Sequence, residues 1–136
     1  MFIPRFAWSD YFSGSPSTTI KTGETQQRQT PSGLNVYVSN SFFNSLASES
    51  DGGALYCDTD VTNLLVEFSS FISCKTFSSN GGAIYFYNVN NGGQCVLHGI
   101  CANDCCSLRT GGTYGQFARI YVNNSASCKN YVNYSS

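Results

Sequence analysis

The chain has 136 residues, of which 41% are hydrophobic, 15% aromatic and only 11% charged, and its net charge is −1. With just 3 Glu and 3 Lys a long helical bundle or coiled coil is excluded, and the aromatic content excludes a charged, disordered tail. The charge balance leaves no electrostatic footprint for nucleic acid or an anionic membrane surface, and the length suits one domain.

In chain order, Met1–Asp10 comes first. Pro4, Arg5 and Asp10 interrupt it, so it lacks the basic-then-apolar order of a secretory signal. Residues 1–33 read as a polar lead-in, with Pro16 and Pro31 and scattered charge, in which Thr18-Thr19-Ile20 is the one strand-like run. Regular strands are expected from Leu34-Asn35-Val36-Tyr37-Val38 onward.

A repeat then sets the fold class. Phe42–Cys57 (FFNSLASESDGGALYC) and Phe71–Phe86 (FISCKTFSSNGGAIYF) align without gaps. The alignment puts Phe42 on Phe71, Gly52-Gly53-Ala54 on Gly81-Gly82-Ala83, and Tyr56 on Tyr85. A weaker third copy is read from Ile100-Cys101-Ala102-Asn103, set against Phe71–Cys74, and from Gly111-Gly112, set against Gly81-Gly82. The apolar runs are short, rich in Val, Ile, Tyr and Phe, and bounded by Gly, Asn and Ser, which is the pattern of strands. Helical repeats of this length need two amphipathic helices each, and 7 leucines in all are too few for leucine-rich repeats. The expected fold is all-β, a β-solenoid of about three coils stacked in parallel over residues 34–136, with 1–33 at most an incomplete coil.

That geometry accounts for the composition. Successive coils put equivalent residues above one another at about 4.8 Å, where like charges repel. The 20 Ser, 13 Asn, 10 Thr and 13 Gly stack there without repulsion and fit tight turns. Gly52-Gly53 and Gly81-Gly82 are expected to supply positive φ at a corner, with Asp51 and Asn80 beside them. Alternation after each glycine pair points Leu55, Ile84, Cys57 and Phe86 inward, and Tyr56, Tyr85 and Tyr87 outward. Phe42, Phe71, Phe68 and Leu97 are expected in the core. The last clear strand is Phe117–Val122, and the strand-like ending at Tyr131–Ser136 makes the chain read as a piece of a longer solenoid, its further coils being one expected partner. No apolar run approaches the roughly 20 residues of a spanning helix, so no direct membrane insertion is expected.

Phe71-Ile72-Ser73-Cys74 with Gly81-Gly82-Ala83-Ile84, and Phe42-Phe43-Asn44-Ser45 with Gly52-Gly53-Ala54-Leu55, resemble the repeats of the chlamydial polymorphic membrane proteins. Those proteins carry Phe-x-x-Asn and Gly-Gly-Ala-Ile tetrapeptides. The residues also resemble the related Cys-rich repeat proteins of trichomonad protists, in which Cys often stands at the Asn position, as Cys74 does here. The resemblance covers about residues 34–125. It implies a right-handed, single-stranded parallel β-helix, a surface adhesin or passenger-type role, and a cell-surface or extracellular location.

Chemistry has few candidates. The seven cysteines are Cys57, Cys74, Cys95, Cys101, Cys105, Cys106 and Cys128. An odd count argues against a closed disulfide framework, and Cys101-x3-Cys105-Cys106 with a single histidine, His98, fits no zinc knuckle. Thiols buried in the core are the first expectation, and one or two disulfides between neighbouring coils the second. No metal or other cofactor is implied. Asn123-Asn124-Ser125 and Asn133-Tyr134-Ser135 are glycosylation sequons. Asp58 and Asp60 form a carboxylate pair of the kind that acts on glycosides or binds calcium, with Asp104 and Arg109 in the third coil as possible companions. His98 lacks the flanking motif of a Ser-His-Asp triad. The best binding candidate is the outward row Tyr56, Tyr85 and Tyr87, able to meet a glycan or a protein partner, although tyrosine also serves simply as a good strand residue. The expected role is therefore non-catalytic binding. The alternatives are a polysaccharide-acting enzyme of pectate-lyase type and an intracellular structural scaffold.

Overall fold

The computed structural model describes residues 7–21, 23–25, 27–89, 92–111, 115–122 and 130–133. After a short helix, α1 (Ala7–Tyr11), come β1 (Thr18–Ile20) and β2 (Gly23–Thr25). The chain then makes four-strand passes. The first holds β3 (Asn35–Ser39), β4 (Ser41–Asn44), β5 (Ala47–Ser48) and β6 (Leu55–Cys57). The second holds β7 (Asn63–Glu67), β8 (Ser70–Ile72), β9 (Lys75–Thr76) and β10 (Ile84–Asn88). The third holds β11 (Gln94–His98), β12 (Cys101–Asn103), β13 (Cys106–Ser107) and β14 (Ala118–Val122), and β15 (Tyr131–Asn133) follows.

The described residues are all-β apart from α1, and each strand runs parallel to its ladder partners. Each pass contributes one strand to each of four sheets, ordered β1-β3-β7-β11-β15, β2-β4-β8-β12, β5-β9-β13 and β6-β10-β14. Inside lie Val36, Val38, Phe43, Leu55, Cys57, Leu64, Val66, Phe71, Ile84 and Phe86, all fully buried. The inward alternation of Leu55, Ile84, Cys57 and Phe86 holds.

Three corners of each pass carry a residue at positive φ. The first is Asn40, Phe68 and Gly99 in successive passes, the second Ser45, Ser73 and Asp104, and the third Gly52, Gly81 and Gly115. Backbone hydrogen bonds tie the first two corners across passes, Phe68 N–H to the His98 carbonyl at 2.9 Å and Ser45 N–H to the Ile72 carbonyl at 2.9 Å. Short polar side chains tolerate this conformation because they hydrogen-bond locally.

Four expectations change here. First, Phe71 faces Phe43, not Phe42. Strands β4 and β5 pair with β8 and β9 at a spacing of 28, whereas Asp51 meets Asn80 at 29. One extra residue enters the turn after β9, where an ungapped alignment has no room for it. Second, Ala102 rather than Ile100 lies on Phe71, because the turn between β10 and β11 is longer again. Third, Gly115 rather than Gly111 occupies the third corner: Gly82 N–H bonds the Gly115 and Gln116 carbonyls. Gly111 is exposed, and Gly112 lies outside the described residues, as do Cys128 and Asn123-Asn124-Ser125; of the second sequon only Asn133 is described. Fourth, Phe68 is 55% exposed. Its corner position turns the ring outward, edge-on to His98 at 5.2 Å, while Leu97 is buried on Val66 as part of the β7–β11 ladder.

Helix α1 has no counterpart among the expected elements. Trp8 and Phe12, four residues apart with ring centroids 5.0 Å apart, pack with Tyr11 and Tyr37 over Leu65 and Val96. They cover the outer face of the first sheet. This explains the unbroken Leu64-Leu65-Val66 run, since a strand buried on both faces loses its alternation. A helix of 5 residues cannot persist alone, so packing holds it. At its edge the Tyr37 hydroxyl donates to Glu67 Oε1, and burial with that bond pushes Tyr37 up to about 12.

Candidate functional site

The outer face of the β6-β10-β14 sheet gathers the candidate site. Register sets Tyr85 between Tyr56 and Arg119, and Tyr87 beside Tyr121. Alternation turns all of them away from Leu55, Ile84 and Phe86. The rings form one nearly parallel file. Tyr56 and Tyr85 are 5.5 Å apart at 10°, Tyr85 and Tyr87 6.4 Å at 12°, and Tyr87 and Tyr121 5.0 Å at 15°. The three expected tyrosines are thus together and half-buried, and Tyr121, 54% exposed, extends them. Tyr121 was detectable from sequence: Arg119-Ile120-Tyr121 repeats the outward spacing of Tyr85-Phe86-Tyr87.

Two arginines lie against the file. The Arg28 guanidinium sits 5.1 Å from the Tyr56 ring centre and that of Arg119 5.7 Å from the Tyr87 ring centre. Arg28 Nε donates to the Gly52 carbonyl at 2.7 Å and Nη2 to the Asp51 carbonyl at 2.6 Å. Burial lowers Arg28 from its usual value but leaves it charged. Burial also raises the Tyr85 hydroxyl, with Asp51 adding to the effect, so Tyr85 presents a neutral hydroxyl at neutral pH. Because the rings shield each other's faces, the file offers mainly hydroxyls and ring edges, with Tyr121 its most exposed ring.

At the Tyr56 end the surface opens into a cleft of about 520 Å³ lined by Arg28, Thr30, Pro31, Ser50, Asp51, Tyr56 and Asp58. Nothing in sequence marked Arg28, which reaches the cleft from the polar lead-in. Asp51 Oδ1 accepts from Asn80 N–H at 2.8 Å and from Asn80 Nδ2 at 3.1 Å. Asp51→Ala strands that nearly buried amide, and the expected cost is about 1–3 kcal/mol, read from the urea midpoint at unchanged m-value.

The other candidate groups are dispersed. Asp58 and Asp60 follow β6 in one tight turn, where Asp58 Oδ1 accepts the Asp60 N–H at 2.9 Å. Asp104 accepts from the Ser73 hydroxyl at 3.1 Å in the turn after β12, and Arg109 donates to Asn80 Oδ1 at 3.1 Å after β13. His98 lies between Phe68 and Tyr11 at the first-sheet face. Among the described residues no three His, Cys, Asp or Glu side chains gather as metal ligands, and no helix is long and apolar enough to cross a membrane. Compared with known proteins, the chain matches no family model, no curated protein and no solved structure.

Proposed function

We propose that the chain is a segment of a right-handed parallel β-helix that serves as a surface adhesin, binding a neutral glycan along the tyrosine file and the adjoining cleft. The observation that carries this reading is the convergence of four tyrosine rings with a cleft lined by hydroxyls, two carboxylates and an arginine. Polyhydroxylated ligands need such a mixture of ring surface and neutral or charged hydrogen-bonding groups. The parallel four-sheet ladders and three repeating corners support the β-helix part. Further coils of the same polypeptide would extend the file, since each pass adds outward positions at about 4.8 Å.

Titration calorimetry against a panel of neutral and acidic oligosaccharides tests the reading. A neutral oligosaccharide should bind, and Tyr85→Ala, at the centre of the file, should weaken it by tenfold or more, about 1.4 kcal/mol, with circular dichroism unchanged. Equal binding by the Tyr85→Ala variant would remove the file from the site. If no glycan binds, the glycan reading fails. Turnover of an acidic polysaccharide that is lost in Asp58→Asn would favour the enzyme instead.

A further inference from the structure

Cys74 and Cys105 occupy the same position in successive passes. Before them Phe71 pairs with Ala102 and Ile72 with Asn103, and after them Lys75 pairs with Cys106. Backbone bonds close the ladder on both sides: Ser73 N–H donates to the Asn103 carbonyl at 2.9 Å and Cys106 N–H to the Cys74 carbonyl at 3.1 Å. That clamps the two α-carbons at ordinary strand separation, about 4.8 Å, inside the range a disulfide spans.

The sulfurs share one orientation. Cys74 Sγ donates to the carbonyls of Ile72 and Phe43, both at 3.5 Å. Cys105 Sγ donates in the same way to the carbonyls of Asn103 at 3.6 Å and Phe71 at 3.2 Å. Each thiol therefore points inward beside the residue two before it and the pass beneath it. In the pass before Cys74 this position is Leu46, whose carbonyl takes the Lys75 N–H, so among the described residues this ladder position holds two thiols, Cys74 and Cys105. The side chains also differ in access, Cys74 being fully buried and Cys105 half-buried.

We propose that Cys74 and Cys105 form a dithiol site that is oxidised by low-molecular-weight disulfides to a cross-link between adjacent passes. Cys105 is the attacking group. The hydrogen bond with Cys74 brings its thiol down to about 7, and that bond and burial push Cys74 up. The Cys105 thiolate attacks one sulfur of the disulfide RSSR. The S–S bond breaks, one RS⁻ leaves and takes up a proton as RSH, and Cys105 carries the mixed disulfide. Cys74 then gives up its proton and attacks the Cys105 sulfur, expelling the second RS⁻, which leaves as RSH. Two protein thiols and one RSSR become one protein disulfide and two RSH. Two electrons pass to the small disulfide.

The test uses the reduced full chain, incubated with oxidised glutathione at neutral pH, then alkylated, digested and mapped by mass spectrometry. The expected result is loss of two free thiols, no retained glutathione, and a cross-linked peptide joining residues 74 and 105. Cys74→Ser, which keeps a hydrogen-bond donor beside Cys105 but lacks the resolving thiol, should instead trap one glutathione on Cys105. Three results would overturn the site: glutathione remaining on Cys105 of the unsubstituted chain, a cross-link that maps elsewhere such as Cys57 to Cys95, or Cys105 left unmodified while exposed Cys101 reacts. The mapping on the unsubstituted chain decides the matter even where a variant fails to fold.

Discussion

Gly82→Ala is expected to cost at least about 3 kcal/mol, a large part of the 5–15 kcal/mol that typically separates folded from unfolded domains. The reason is proximity, not φ. A Cβ on Gly82 would lie 2.2 Å from the Gln116 carbonyl oxygen and 2.5 Å from the backbone of Cys106. Those atoms belong to the next pass and are fixed by its ladders, so no side chain can swing aside. Gly53 repeats the arrangement one pass earlier, with the Gly82 carbonyl oxygen at 2.2 Å and the Lys75 carbonyl oxygen at 2.5 Å. Gly92→Ala is the contrast. Gly92, unlike Gly82, has positive φ, but nothing stands within 4 Å of its Cβ position, so only the backbone penalty of about 1–2 kcal/mol applies. Urea unfolding of the two variants should separate these effects. A Gly82→Ala midpoint equal to that of Gly92→Ala would mean that the passes do not approach each other as closely as the ladders require.

The glycine pairs also show what was legible beforehand. Positive φ at the corner was readable, and Gly52 and Gly81 have it. The second glycine of each pair has a different task, close packing of backbone on backbone, which a one-dimensional pattern does not distinguish from the first. The outward tyrosines and inward Leu55, Ile84, Cys57 and Phe86 were legible because strand alternation has a fixed period. Turn length has none. The turns after β9, β10 and β13 each gain residues relative to the pass before. Each gain shifts the true register away from the best match of letters, so Gly111 and Ile100 stood in for Gly115 and Ala102. Phe68 departs from the expected core position for another reason. Its strand, Asn63–Glu67, ends one residue before it, and a phenylalanine at a left-handed corner contradicts its intrinsic preference. Helix α1 was hidden because its partners, Leu65 and Val96, lie far along the chain.

The charge deficit follows from the same ladders. Asn35 Oδ1 takes a hydrogen bond from Asn63 Nδ2 at 2.9 Å, and Asn63 Oδ1 takes one from Gln94 Nε2 at 3.2 Å, a file of amides across three passes. Each amide donates to the pass beneath and accepts from the pass above, so neighbouring amides satisfy each other. Three lysines or three glutamates in that file would repel. The composition that builds the ladders also leaves the outer face furnished with tyrosine and hydroxyl groups, the groups on which the proposed glycan contact rests.

Phe43→Ala should cost about 3–5 kcal/mol and Phe42→Ala less than about 1 kcal/mol, and the comparison tests the register directly. Phe43 and Phe71 are both fully buried, their rings stacked at 4.7 Å and 6°, and Phe117 meets Phe71 edge-on at 5.6 Å from the next pass. Removing the Phe43 ring opens a cavity that two facing strands cannot close, because β4 is held to both β2 and β8. Phe42 points the other way and is only half-buried. In the alternative register, with Phe42 above Phe71, the two costs would be exchanged. A one-residue slip moves each side chain of β4 to the opposite face, so no intermediate register yields equal losses. Denaturant midpoints of the two variants, measured side by side, therefore decide between a spacing of 28 and one of 29 at this strand.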